Sequence, residues 1–309
     1  MFLRPKPTFT QRLAIVVGTL FTALLQGCSD NGHMDNKNLA VPGGGNDRIV
    51  SVPAAQAEMP PPGETVLVTT FFTPESVGYE QHEYIVAGTA QAYINANEFR
   101  SDGRWEIQPS DQSDYRTRIV EMRPADPAAF NGTVVLEWLN VSAGFDSAPD
   151  WGMLHTEMIR SGYAWVGVSA QREGVAALLD GRAADLLGQA VDDRYTTLFH
   201  PGDAYSYDIY SQVAQALRSS DMLLGGLVPQ RFIAAGESQS AHRLMTYVNA
   251  FAPIHALFDG YFIHSRIAGS AALQGNFFEE VLVPTPPVVN VRTDLRVPVM
   301  MVQTETDLF

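Results

Sequence analysis
The feature that most constrains this chain is the run from Pro229 to Phe251, PQRFIAAGESQSAHRLMTYVNAF. A short apolar strand, Arg231 to Ala235, leads into Gly236-Glu237-Ser238-Gln239-Ser240. A helix follows, whose Ala241, Leu244, Met245 and Val248 recur at i, i+3, i+4 and i+7. Small residues two before and two after a central serine let strand and helix close around a sharp turn that lifts the hydroxyl clear of the chain. Gly236 meets that need, and Ser240 meets it less fully than glycine would. A plain strand-to-helix turn whose serine caps the helix has the same local order. The surrounding elements therefore have to separate the two readings.

Those elements alternate. Val66 to Phe72, Glu83 to Tyr93 and Arg116 to Met122 carry β-branched and aromatic residues between turn residues, and they read as an antiparallel meander. Thr133 to Leu139 and Tyr163 to Ser169 are almost continuous apolar runs, the pattern of strands buried on both faces. Helices are expected at Trp151 to Arg160, at Ala176 to Gln189, and at Asp208 to Arg218, which has an aspartate at its start. Asp192 to Gly202 reads as loop. Gly260 to Ser265 and Pro298 to Thr304 are further strands, and Gly269 to Arg296, without a clean period, reads as an inserted loop or cap. The expected architecture is an α/β fold over residues 64–309: a mostly parallel sheet with helices on both faces and an antiparallel N-terminal meander.

The 309 residues, 46% hydrophobic and 17% charged, suit one large globular domain. The N-terminus does not belong to it. Arg4, Lys6 and Arg12 precede the apolar run Leu13 to Leu25, which is shorter than the roughly 20 residues of a membrane span and has the layout of a signal peptide, residues 1–27. Leu25-Gln26-Gly27-Cys28 resembles the lipobox of bacterial lipoproteins, in which the cysteine becomes the lipid-carrying N-terminus. Cys28 is the only cysteine, so it has no disulfide partner. That resemblance implies a lipid-anchored protein of the bacterial cell envelope, and Ser29 after the cysteine favours the outer membrane, with the body facing the periplasm. Residues 28–63, rich in Asn, Asp, Gly and Pro, read as a disordered tether.

Net charge and spacing exclude several classes. The formal charge of −14 becomes more negative still once the three cations of the signal peptide are removed, which disfavours nucleic acid as a partner. Gly43-Gly44-Gly45 lacks the strand, helix and Lys-Ser/Thr of a phosphate loop. No two of the seven histidines stand at i, i+4, so neither a zinc site nor any other metal or cofactor is expected.

Acyl transfer by a serine needs a base, an acid that orients the base, and hydrogen-bond donors for the oxyanion. One donor would be the backbone N–H of Gln239. The other would come from the loop Asn140 to Gly144, with the N–H of Val141 favoured and Asn140 as its neighbour. After the last strand, Asp307 suits the acid, with Glu305 as the alternative. His33, His82, His155, His200, His242, His255 and His264 all precede Asp307. His264, at the end of a strand after the serine, is the one weak candidate for the base. The simpler expectation is a chain truncated just past the acid.

With these segments placed, the chain resembles the α/β-hydrolase superfamily, and more narrowly the bacterial family described as alpha/beta hydrolase domain proteins. The likeness rests on Glu83-Tyr84 with Gly88-Thr89-Ala90, on Phe130 to Val135 leading to Glu137-Trp138-Leu139-Asn140-Val141, on Ser206-Tyr207-Asp208-Ile209, on Gly236 to Ser240, and on Gln303 to Asp307. It implies an esterase-like serine hydrolase acting on a small-molecule ester, with a histidine beyond the acid. The opposing expectation is a catalytically inactive or truncated hydrolase-fold lipoprotein that binds rather than turns over. Nothing in the sequence indicates an oligomeric state.

Overall fold
A computed structural model describes residues 49–191, 193–275 and 284–307. The chain divides into two compact units, Met1–Pro42 and Gly43–Phe309, and the described residues belong to the second. The expected signal peptide, Cys28 and the tether as far as residue 48 lie outside the described residues.

Eight strands form one sheet: β1 (Gln56–Glu58), β2 (Tyr79–Asn95), β3 (Ile107–Pro124), β4 (Thr133–Trp138), β5 (Ala164–Val168), β6 (Arg231–Glu237), β7 (Gly260–His264) and β8 (Val299–Val302). Their order is β1-β2-β3-β5-β4-β6-β7-β8. The pairs from β1 to β5 through β3 are antiparallel, and all pairs from β5 to β8 are parallel. Strands β2 and β3 make a long ladder from Tyr79↔Pro124 to Asn95↔Ile107, broken by a register shift between Gln91 and Tyr93. The helices are α1 (Pro149–Arg160), α2 (Arg172–Leu179), α3 (Arg182–Leu187), α4 (Ser206–Ser219), α5 (Gln239–Thr246) and α6 (Ala252–His255). A π-helical turn, Tyr247–Phe251, joins the last two.

Alternation along the parallel strands assigns their two faces. Val134, Leu136 and Trp138 of β4, Val166 of β5, and Phe232 and Ala234 of β6 pack with Tyr210 and Val213 of α4 and Leu244 and Met245 of α5. Val135, Trp165 and Ala235 face the other way, onto Trp151 and Met158 of α1. Both faces of β4 and β5 are covered, which is why their sequences run apolar without a break. All six residues of β4 are buried.

Three local expectations change. Residues 49–63 pack against the domain rather than forming tether: Gln56–Glu58 pairs with β2, Val50 N–H donates to the Ile254 carbonyl at 2.8 Å and Ala55 N–H to the Gln212 carbonyl at 3.1 Å. This covers the middle of the outer edge of β2, Ile85 to Ala87, which would otherwise present unpaired backbone groups. Val66 to Phe72 joins no ladder of the sheet and makes only the bridge Val68↔Ser147. The helix expected over Ala176 to Gln189 is two helices, interrupted at Gly181, whose φ of 76° a helix cannot hold. The described parts of Gly269 to Arg296 contain neither helix nor strand, in keeping with an inserted loop. They are fastened to α5 by Ala271 N–H on the His242 carbonyl at 3.1 Å and by Arg243 on the Ala272 and Gly275 carbonyls.

Candidate active site
Strand β6 ends at Glu237 and α5 begins at Gln239, leaving Ser238 alone between them at φ 54°, ψ −115°. A non-glycine residue in that region is strained. The strain is held from three sides. Ser238 N–H donates to the His264 carbonyl on β7 at 2.9 Å, and His242 N–H donates to the Ser238 carbonyl at 3.2 Å. Gly236 provides the third, since a Cβ there would lie 3.0 Å from the Ser240 carbonyl oxygen and 3.1 Å from its carbon. Ser240 is fully buried, and its hydroxyl donates to the Leu139 carbonyl at the end of β4 at 3.2 Å. A glycine at 240 could not make that tie, so the departure from the small-residue ideal fastens α5 to the neighbouring strand.

The loop after β4 reaches the same place. Asn140 Nδ2 donates to the Glu237 carbonyl at 3.0 Å and to Glu237 Oε2 at 3.1 Å, while its Oδ1 accepts the Ser142 N–H at 2.8 Å. Val141, between them, is buried, and its N–H donates to no described residue. Nor does the N–H of Gln239, one of the orphan donors that open any helix. The Gln239 side chain forms a reciprocal amide pair with Gln171, with contacts of 2.9 and 2.5 Å. The far end of the loop is fastened by Asp146, whose Oδ2 accepts from Ser169 Oγ and, at 3.2 Å, from the fully buried Arg118.

The parallel strands end in register, Glu237 beside His264 and His264 beside Val302. Asp307 therefore follows on the third strand of a row that starts at the serine. Thr304 donates to Asp307 Oδ2 through its N–H at 2.7 Å and its hydroxyl at 2.9 Å. Partial burial works against the Asp307 carboxylate, but the Thr304 and Ser265 hydrogen bonds and the charge of His264 outweigh it and hold its pKa below the usual value. Glu305, the alternative acid, is exposed.

Most of the described histidine rings have other partners. His82 meets Glu80 at 3.0 Å, His155 Nδ1 the Gly152 carbonyl at 2.9 Å, His200 the Ala170 carbonyl at 3.0 Å and His255 the Ser211 hydroxyl at 2.9 Å. His242 Nε2 is buried without a hydrogen bond, and desolvation followed by Arg266 lowers its pKa to about 4. His264 is adjacent to the serine strand, and its Nδ1 lies 2.9 Å from Asp150 Oδ1. No described histidine ring hydrogen-bonds the side chain of Ser238 or Asp307. His33 lies outside the described residues.

Sequence reasoning missed a cluster of carboxyl groups beneath the turn. Glu137, Glu237 and His264 stand on β4, β6 and β7 and face α1, whose first turn brings Asp150 among them. Glu137 caps that helix from the sheet, accepting the Asp150 and Trp151 N–H groups at 2.9 Å each and Trp165 Nε1 at 2.7 Å. Helix α1 has no side-chain cap of its own, and a carboxylate at a helix N-terminus supplies the missing acceptors. Burial and then the charge of Asp150 raise the Glu137 pKa well above the usual range. Burial followed by Asp150 also pushes Glu237 up to about 7, opposed by His264 and the Asn140 hydrogen bond. Desolvation disfavours the His264 imidazolium, but Asp150, Glu237 and Asp307 overcome it and raise the His264 pKa. The acidic residue inside the motif was the only sequence signal. Among the described residues, no group of three or more His, Cys, Asp or Glu is placed to hold a metal ion.

A family model described as alpha/beta hydrolase domain matches residues 45–309. No curated protein matches the sequence. Among solved structures, the chain is similar to one from a study of two esterases of Rhizomucor miehei, with 10% identity, 59% of this chain and 45% of that one covered, and a TM-score of 0.32. It is also similar to the rice cell wall degrading esterase LipA from Xanthomonas oryzae, at 11% identity, 71% and 50% coverage, and a TM-score of 0.34. A third is acetyl xylan esterase 1 of a Thermoanaerobacterium, at 10% identity, 59% and 53% coverage, and a TM-score of 0.31. The chain thus spans about half the length of these structures. The match over residues 45–309 is what bears on descent.

Proposed function
The chain belongs to the alpha/beta hydrolase domain family, and we propose that it is a serine esterase of the bacterial cell envelope. The observation that carries this reading is Ser238 at φ 54° between strand and helix, beside two backbone donors, Gln239 and Val141, that no described residue uses. Ser238 Oγ attacks the carbonyl carbon of a small-molecule ester. The carbonyl oxygen gains the negative charge and accepts hydrogen bonds from Gln239 and Val141. A histidine takes the hydroxyl proton and returns it to the leaving alcohol, and water then repeats the cycle on the acyl enzyme. Asp307 orients that histidine, with Glu305 as the alternative. His264, engaged by Asp150, is the weaker candidate for the base.

One observation favours a second reading, a hydrolase-fold protein that binds without turnover: no described histidine ring hydrogen-bonds the side chain of Ser238 or Asp307. A fluorophosphonate probe separates them. An esterase is labelled, and Ser238→Ala abolishes the label; labelling that persists unchanged in Ser238→Ala excludes Ser238 as nucleophile. A folded wild type that is neither labelled nor hydrolyses short-chain aryl esters supports the binding reading. Envelope anchoring rests on Cys28 in its lipobox-like setting. Metabolic labelling with a fatty acid that is lost in Cys28→Ala is the expected result; unlabelled wild type refutes the anchor.

A further inference from the structure
We propose that Glu237 is a positioning residue: acting through Asn140, it sets the place of the Val141 N–H, and the buried Asp150–His264 pair beside it tunes the charge with which it does so. The inference deepens the serine-esterase reading and rests on it for the role of Val141.

The geometry is a relay of one side chain. The Asn140 amide plane is fixed at both ends. Its Nδ2 spans the backbone carbonyl and the carboxyl Oε2 of Glu237, and its Oδ1 holds the Ser142 N–H. Val141 lies on the backbone between the two clamped points. The strand carrying the nucleophile and the loop carrying the second donor are thus coupled by Asn140, and one acceptor in that coupling can titrate. An ionised carboxylate accepts from an amide about twice as strongly as a neutral group does. The loop is held firmly when Glu237 is charged and loosens when it is protonated.

The charge on Glu237 is set first by burial and then by its neighbours. Asp150 faces it from α1, His264 from β7 and Asp307 from the turn after β8, while Asn140 bonds it from the loop after β4. Glu137, on β4, sits under the same helix turn and interacts with Asp150. His264 is the only cationic group among these. Asp150 Oδ1 binds its Nδ1, while Asp150 Oδ2 is buried with no partner, so the pair is held without full satisfaction of the acid. A glutamine at 237 would supply the same acceptor to Asn140 with no buried charge. The titrating residue beside the serine therefore has a consequence that packing alone does not need. Burial places its pKa near 7, so the change falls within the working range of an esterase.

The test uses the full chain, with Asn side-chain amides and backbone N–H groups followed by NMR from pH 5 to 9. In the wild type, the Asn140 side-chain amide and the Ser142 N–H move together in one step centred near pH 7. In Glu237→Gln that step vanishes while the spectrum otherwise stays folded. In His264→Gln it moves to higher pH, because the cation that lowers the Glu237 pKa is gone. Asn140 and Ser142 signals that do not titrate in the wild type, or an unchanged step in Glu237→Gln, overturn the proposal. This readout needs no turnover and is repeated in Ser238→Ala, so it stands apart from failure of the esterase reading. In protein that labels, Asn140→Ala and Glu237→Ala each slow fluorophosphonate labelling about 10- to 100-fold, and the double variant is no slower than Asn140→Ala alone. Multiplied effects would also overturn the relay.

Discussion

Arg118→Met tests whether the loop after β4 is anchored electrostatically. Arg118 is fully buried on β3, and it donates to Glu83 Oε1 at 2.9 Å, to Asp146 Oδ2 at 3.2 Å and to Ser169 Oγ at 3.1 Å. Methionine fills the stem of the side chain but removes the charge. Glu83 keeps Arg194 as a partner at 2.6 Å, whereas Asp146 loses its only ion pair among the described residues. Removing one partner from a buried pair costs about 3–5 kcal/mol. The size depends on pH in a definite direction. Burial already raises the Asp146 pKa in spite of Arg118. A carboxyl whose folded pKa is raised stabilises the fold fully below its unfolded pKa, and that contribution is lost as pH rises towards the folded value. Loss of Arg118 raises the folded value further, so the variant is penalised more at pH 8 than at pH 5, by about 1.4 kcal/mol for each unit of added shift. Urea denaturation followed by tryptophan fluorescence at both pH values measures this. A loss below about 1 kcal/mol, or an equal loss at both pH values, refutes the anchoring argument.

Two further outcomes follow from single residues. Gly236→Ala sets a methyl group 3.0 Å from the Ser240 carbonyl oxygen, which is backbone and cannot swing away; it should cost about 1–3 kcal/mol in urea denaturation and slow fluorophosphonate labelling by about 100-fold as the turn opens. Glu121, buried on β3, accepts the Leu224 N–H at 3.1 and 3.3 Å, and burial pushes its pKa up to about 7 against that bond and Arg123. Its stabilising share is complete below about pH 4.5 and is lost as pH rises through 7. Glu121→Gln keeps an acceptor and should remove about 3 kcal/mol of the stability difference between pH 5 and pH 8, which the denaturation midpoints will show.

Much of the frame was readable because its signals are local. Thr133–Trp138 and Ala164–Val168 run apolar because helices cover both sheet faces, and a strand buried twice needs no partner to be identified. Gly236 to Ser240 announced its turn through small residues around the serine. Other elements depended on remote partners. Gln56–Glu58 is a strand only because β2 offers it an edge. Val66 to Phe72 has a strand's composition but joins no ladder, meeting the rest of the chain through the single bridge Val68↔Ser147.

The sequence by itself determined the kind of sheet, the order of its strands along the chain, the sharp turn at Ser238 and the position of Asp307 after the last strand. Periodicity and residue size act over a few residues, so they are legible in one dimension. Only the tertiary structure decided what surrounds that turn. Asp150 and His264 meet at 2.9 Å from 114 positions apart, and Asn140 reaches Glu237 from 97 positions away. The charge on Glu237 follows from burial and from groups on separate elements brought together by the sheet's strand order. A pKa is set by distance and dielectric in space, and neither is encoded in the spacing of letters along a chain.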